Sequence, residues 1–253
     1  MPFPTVILPG YLAGARPYRE MEAALEALGV VVRTVPLRRQ DWFPTLGGRS
    51  MLPILTQLDA TVQQLRQETG SDRINLVGHS AGGWIARIYL GEVPYDVHPG
   101  DRHQPGLWKA HSHVATLVTL GTPHSSGERW TQRNLNFVNE NYPGAFYSHV
   151  RYVCVAGKAV YGDRRLQNWF ARSSYELTCG QGNVWGDGIT PIESALLAGA
   201  EQIVLADVFH SPRPGRYWYG SPPVVQQWAS YLLAEENPCS HPPSSCTTRP
   251  EPA

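Results

Sequence analysis

The chain has no excess of either charge: across 253 residues, 21 Lys and Arg face 21 Asp and Glu. Without a basic stripe it lacks the electrostatic footprint that nucleic acid or an anionic membrane surface requires. No apolar run approaches the roughly 18 residues of a transmembrane helix, so no integral membrane segment is expected. The N-terminus MPFPTVILPG has no basic residue ahead of its apolar ones, and the first basic side chain is Arg16. It does not read as a secretory signal, and a cytoplasmic location is expected. Cysteine is sparse too. Cys154, Cys179, Cys239 and Cys246 are scattered without a CxxC spacing, which excludes the usual zinc and dithiol motifs and points to reduced thiols. No metal or other cofactor is expected. A small neutral or apolar molecule is the expected partner, and the sequence leaves the oligomeric state open.

What is present is an alternation. A chain of this length buries roughly 70 to 75% of its unfolded surface, and one domain is expected. Thr5–Leu8 reads as a short buried strand. Pro17 opens a helix carrying Tyr18, Met21, Leu25 and Leu28, stopped by Gly29. Val30–Val35 is a second β-branched run, and Met51, Leu55, Leu58, Val62 and Leu65 mark a second helix ending at Gly70. Further strands are expected at Arg73–Val77, His113–Leu120, Arg151–Ala156 and Gln202–Ala206. Helices are expected over Ala81–Leu90, from a capping box at Thr190-Pro191-Ile192-Glu193 to near Gly199, and from Ser221-Pro222 through Leu232. Apolar strands separated by amphipathic helices imply a mostly parallel sheet covered on both faces, with ligands beyond the carboxyl ends of the strands. Residues 1–234 form the expected domain, and 235–253, with five prolines, read as a disordered tail. Stretches 91–112, 124–149 and 157–186 break the alternation and read as cap-like insertions.

Gly78-His79-Ser80-Ala81-Gly82 is a G-x-S-x-G at the junction of an expected strand and an expected helix. The glycines permit a tight turn that lifts the serine oxygen clear of the sheet, and the helix N-terminus directs free N–H groups at it. Ser80 is therefore the candidate nucleophile. A hydroxyl needs a base, and in such a fold the chain order is serine, acid, histidine. His210, four residues past the last strand in IVLADVFHSP, is the candidate base. Eleven carboxylates lie between Ser80 and His210. Asp187, with glycine on both sides in WGDGITP, is preferred as the acid over Asp163, which sits beside two arginines. Oxyanion donors are expected at the Ala81 N–H and, from the loop LPGYLAG after the first strand, the Tyr11 N–H. His79 and His124, the latter in LGTPH at a strand end, are candidates to line the substrate pocket.

VGHSAGGW, LGTPH, WGDGITP and VFHSP, in that order, resemble the α/β-hydrolase lipases and esterases, and most closely the plant chloroplast and cyanobacterial members. YVCVAGK and WYGSPPVVQQW extend the resemblance over most of residues 5–234. It implies an α/β-hydrolase fold with a minimal sheet of about six strands and a cap or lid. It also implies a Ser80, Asp187, His210 triad with Tyr11 and Ala81 as oxyanion donors, and allows a plastid-like or cyanobacterial origin. Many lipases carry His-Gly after the first strand where this chain has Pro9-Gly10. A Pro-Gly-aromatic loop also occurs in polyester hydrolases, but 107 residues from Ser80 to Asp187 is a longer spacing than cutinase-like enzymes keep.

The expected activity is serine carboxylester hydrolysis of neutral or lipid-like esters through an acyl-enzyme. Alternatives are acyl transfer or thioester cleavage by the same residues, polyester hydrolysis, or a non-catalytic binding protein of the same fold. Aromatic residues among polar ones in 124–149, Trp130 and Phe137 above all, are expected to line an apolar cleft for the acyl chain.

Overall fold

Apolar residues fall on both faces of the central strands, so each strand is stable only between two layers of helix. The computed structural model describes residues 2–97, 105–165 and 168–233. The tail expected at 235–253, with Cys239, Cys246 and His241, and also His98 and His103, lies outside the described residues. Strands run β1 Thr5–Leu8, β2 Val32–Thr34, β3 Ile74–His79, β4 Val114–Leu120, β5 Arg151–Lys158, β6 Val160–Tyr161, β7 Trp185–Gly186, β8 Glu201–Ala206, β9 Val208–Phe209 and β10 Tyr217–Trp218. Helices run α1 Arg19–Glu26, α2 Leu52–Thr69, α3 Ala81–Leu90, α4 Arg129–Asn141, α5 Trp169–Cys179, α6 Ile192–Ala195, α7 Pro222–Trp228 and α8 Ser230–Leu233.

Six strands form one sheet in the order β2-β1-β3-β4-β5-β8, parallel throughout. Side chains alternate between two cores. Val6, Leu8, Leu76, Leu117 and Cys154 pack with α2, α3 and α4 on one face. Ile7, Val77, Val118, Val153 and Val155 pack with α1 and α7 on the other. Each such fully buried aliphatic side chain contributes about 1.5 to 3 kcal/mol. Every residue of α3 is buried, because this helix lies under the middle of the sheet.

The strand order places the site. From β1 the chain turns one way to β2 and then the other way to β3, so the carboxyl ends of β1 and β3 border a crevice where the winding reverses. Pro9-Gly10-Tyr11 follows β1 and Ser80 follows β3. Both segments therefore flank that crevice.

The irregular stretches differ in placement. Residues 91–97 leave the far end of α3, at the amino-terminal edge of the sheet; there Tyr95 bridges to Gly106 and its hydroxyl accepts the Met51 N–H. Residues 124–149 contain α4, the crossover helix between β4 and β5, with Asn134, Leu135 and Val138 buried. After β5 the chain leaves the carboxyl edge; of the stretch that follows, the described residues 159–165 and 168–186 include α5 and end in β7, which pairs antiparallel with β6.

Two expected helices are corrected. Pro191, not Thr190, is the N-cap of α6, which is a single turn without a capping box. Thr190 is engaged elsewhere: its hydroxyl donates to the Gly121 carbonyl and its N–H to Asp187 Oδ1. The final helix is interrupted at Ala229 and divides into α7 and α8.

Candidate active site

Ser80 has φ 53° and ψ −126°, a conformation that costs a non-glycine residue about 1 to 3 kcal/mol. Its neighbours hold it there. A Cβ on Gly78 would come 2.5 Å from Gly83 Cα, and one on Gly82 would come 2.4 Å from the Leu8 carbonyl. The Ser80 N–H donates to the Leu120 carbonyl and its own carbonyl accepts the Gly83 N–H. The strand thus turns into α3 within one residue, with the serine at the apex and half-buried.

The loop after β1 lies against this apex. A Cβ on Gly10 would fall 2.9 Å from Ser80 Cβ and 3.2 Å from His79 Nδ1. The Gly10 N–H is taken by the Tyr18 hydroxyl at 2.8 Å. By contrast, the Tyr11 and Ala81 N–H groups find no acceptor among the described residues.

Asp187 and His210 meet across 23 residues: His210 Nδ1 is 2.7 Å from Asp187 Oδ2. The same oxygen accepts the Tyr219 hydroxyl at 2.7 Å, and Oδ1 accepts the Ile189 and Thr190 N–H groups at 2.9 and 2.7 Å. Every lone pair of a fully buried carboxylate is thereby engaged. Burial pushes the Asp187 carboxyl up, but the neighbouring His210 and these donors outweigh it and hold the group below its ordinary value. Gly121 and Gly157 give the acid its room, since a Cβ would lie 2.6 Å from Asp187 Oδ2 on the first and 2.9 Å from Asp187 Cβ on the second.

With Nδ1 facing Asp187, Nε2 is the His210 nitrogen left for a substrate proton. No hydrogen bond joins it to Ser80 Oγ; the side-chain and backbone bonds of His210 go to Asp187 and His79. Bonds of this kind often tighten only once substrate is bound.

The remaining sequence candidates are placed differently. Asp163 accepts the Arg165 N–H and the Asn168 side chain in the loop before α5, and no described histidine is among its hydrogen-bond partners. His79 and His124 are each only 4% exposed. Both ring nitrogens of each are paired inside the protein. His124 meets Arg87 at 3.4 Å and Thr119 Oγ1 at 3.2 Å. His79 meets Tyr18 and the His210 carbonyl. Phe137, half-buried, packs edge-on against Tyr95 at 5.2 Å. Trp130 stays 57% exposed at the start of α4.

Two residues escaped sequence reasoning. Tyr18 was legible only as a core position of the first helix, and Tyr219 only as part of the stretch WYGSPPVVQQW; their hydroxyls reach Gly10, His79 and Asp187 through tertiary contacts alone. Also unforeseen was the outward face of α5, where Trp169, Phe170 and Leu177 are each at least 60% exposed, opposite the buried Ala171 and Tyr175. Among the described residues no group of His, Cys, Asp and Glu converges as a metal site, and Cys154 and Cys179 are free thiols. No described helix is long and apolar enough to cross a membrane.

Residues 45–151, which include Ser80 but neither Asp187 nor His210, are similar in sequence to the PGAP1-like α/β domain. No curated protein matches the chain significantly. Among solved structures, the lipase BlEst2 of Bacillus licheniformis superposes with a TM-score of 0.61 at 17% identity, covering 92% of this chain and 93% of that one. Phospholipase PlaB of Legionella pneumophila gives 0.62 at 13% identity, covering 92% of this chain and 60% of that one. An esterase of Exiguobacterium antarcticum gives 0.51 at 13% identity, with 92% of each chain covered. Identities this low establish architecture alone. The chain has the α/β-hydrolase fold.

Proposed function

We propose that the protein is a serine carboxylester hydrolase acting on neutral or lipid-like esters. The observation that carries this reading is the 2.7 Å His210–Asp187 pair at the same carboxyl edge of the sheet as Ser80, a serine whose backbone is strained at the half-buried apex of a strand-to-helix turn. Ser80 Oγ attacks the ester carbonyl while His210 Nε2 takes its proton. Asp187 holds the imidazole in the tautomer with Nδ1–H and stabilises the imidazolium that forms. The Tyr11 and Ala81 N–H groups receive the developing oxyanion. Collapse of the tetrahedral intermediate expels the alcohol with the proton from Nε2, leaving an acyl-serine. Water, deprotonated by His210, attacks the acyl carbon; the bond to Ser80 Oγ then breaks, Oγ takes the proton back from Nε2, and the acid leaves.

Support for lipid-like substrates is indirect. The fold neighbours include proteins described as a lipase and a phospholipase, and the motif resemblance to plant chloroplast and cyanobacterial hydrolases favours the same chemistry. The stretch 157–186, with its exposed apolar helix face, lies at the carboxyl edge of the sheet, where a cap over the serine belongs.

Treatment with a fluorophosphonate, followed by peptide mapping, tests the mechanism. Covalent modification at Ser80, together with turnover of p-nitrophenyl esters that Ser80→Ala abolishes, is the expected result. An unmodified Ser80 in folded protein overturns the reading. Adding alcohols during turnover separates hydrolysis from acyl transfer, since a transferase partitions most of its acyl-enzyme to the alcohol.

A further inference from the structure

We propose that His79, held by Tyr18, is a positioning residue that locks the loop carrying the oxyanion donor to the loop carrying the catalytic histidine. The inference rests on the ester-hydrolase reading above and deepens it.

The directions of the hydrogen bonds are forced. His79 Nε2 lies 2.9 Å from the His210 carbonyl oxygen. A carbonyl only accepts, so Nε2 carries the proton. A neutral imidazole then has a bare Nδ1, which must accept, and the Tyr18 hydroxyl 2.7 Å away is its donor. With its hydrogen committed, the Tyr18 oxygen accepts the Gly10 N–H at 2.8 Å. A single chain of bonds therefore runs from Gly10 through Tyr18 and His79 to His210. Burial lowers the His79 pKa to about 3 and so keeps the ring neutral.

Two consequences bear on catalysis. Gly10 N–H is occupied and cannot face the oxyanion, which leaves the Tyr11 N–H of the same loop to do so. The backbone of His210 is also fixed at both ends. Its N–H donates to the Asp187 carbonyl at 3.0 Å and its carbonyl accepts from His79, so the imidazole is aimed by a restrained main chain. His79 stays uncharged 4.9 Å from the His210 ring, so it does not oppose the imidazolium that forms during the reaction. A residue serving only to fill space would need neither nitrogen. The aromatic walls of Tyr18, Trp218 and Tyr219 around His79 would suit a leucine or phenylalanine as well.

The test compares Tyr18→Phe, His79→Leu, His79→Gln and the double variant Tyr18→Phe/His79→Leu, each checked for folding by circular dichroism. For a soluble p-nitrophenyl ester, Tyr18→Phe and His79→Leu should each lower kcat about 10- to 100-fold with KM changed less than about threefold, since misplaced donors and base act on the transition state. Fluorophosphonate labelling of Ser80 should slow in parallel. Gln retains a donor and an acceptor, so His79→Gln should recover most of the loss, and the double variant should lose little more than the worse single one. Folded Tyr18→Phe with wild-type kcat overturns the relay even if His79→Leu does not fold. So does a His79→Gln variant no better than His79→Leu. A wild-type protein inert to both ester and fluorophosphonate overturns the hydrolase reading and the relay with it, whereas an active wild type with indifferent variants overturns the relay alone.

Discussion

His210 is tied to Asp187 twice, through its side chain at 2.7 Å and through its backbone N–H to the Asp187 carbonyl at 3.0 Å. The acid therefore fixes both the ring and the strand end that bears it. Asp187→Asn should lower kcat by about 10⁴, through a wrong tautomer and a less stable imidazolium. Asp163→Asn should leave kcat within about twofold, as expected of a surface substitution away from the site. Steady-state kinetics on the two purified variants decide, and a reversed order would move the acid to Asp163.

Ser80 offers a stability test separable from chemistry. Ser80→Ala keeps the strained backbone and should lower kcat by about 10⁴ to 10⁶ with little change in melting temperature. Ser80→Gly should be equally inactive yet more stable by about 1 to 2 kcal/mol, because glycine adopts φ 53° without a Cβ penalty. Urea unfolding that ranks Gly no higher than Ala would mean the turn is not strained.

Tyr219 donates to Asp187 Oδ2 and accepts the Gly157 N–H. Tyr219→Phe removes a hydrogen bond to a buried carboxylate, worth about 1.5 to 3 kcal/mol, and leaves the Gly157 N–H unpaired. A fall in unfolding midpoint is expected, with a smaller fall in kcat than Asp187→Asn causes. Equal kcat losses in the two variants would make Tyr219 as important to the chemistry as the acid.

Acid should destabilise the fold before carboxylates titrate. Burial lowers His79 from 6.5 to about 3 and holds His124 well below 6.5. Below pH 6.5 the unfolded chain takes up protons on both that the folded chain refuses. Stability should thus fall as pH drops from 6.5 toward 3, by about 1.4 kcal/mol per pH unit from His79, with His124 adding a loss of the same sign. Asp187, whose value is depressed in the fold, adds its loss at lower pH, as the medium falls through the ordinary carboxylate value toward the folded one. Urea midpoints at pH 7.5, 6, 5 and 4 measure the slope; a flat profile between 7.5 and 5 contradicts it.

Acyl-chain preference tests the cap. If the carboxyl-edge excursion shelters an acyl chain, kcat/KM should rise from acetyl to medium-chain esters, by up to about 0.8 kcal/mol per buried methylene. Trp169→Ser with Phe170→Ser should flatten that rise while leaving acetyl turnover within about twofold. Trp130→Ala tests the exposed start of α4 in the same way. Phe137→Ala should instead cost stability, by less than the about 3 to 5 kcal/mol of a fully buried ring, because the half-buried side chain packs on Tyr95 and Tyr142.

The sequence by itself determined whatever depends on neighbours along the chain. Buried β-branched runs at β1, β3, β4 and β5 need helices on both faces, so the parallel sheet was legible, as were the turn at Ser80 between a strand and a helix and the stops at Gly29 and Gly70. Asp187 was legible as part of a tight turn for the same reason, since its glycines flank it directly. The expected capping box at Thr190 was not met, because its hydroxyl found the Gly121 carbonyl 69 residues away, and local spacing carries no knowledge of such a competitor. His79, inside the G-x-S-x-G turn, and His124, at a strand end, read as candidates to line a pocket. Which way a side chain turns at a strand end depends on the surrounding layers, and here Tyr18, 61 residues from His79, and Arg87, 37 from His124, draw both rings inward. The sheet order that sets Gly10 against Ser80, and the tyrosines that hold Gly10, His79 and Asp187, were decided only in the tertiary structure, because they join groups whose proximity exists only after the chain has packed.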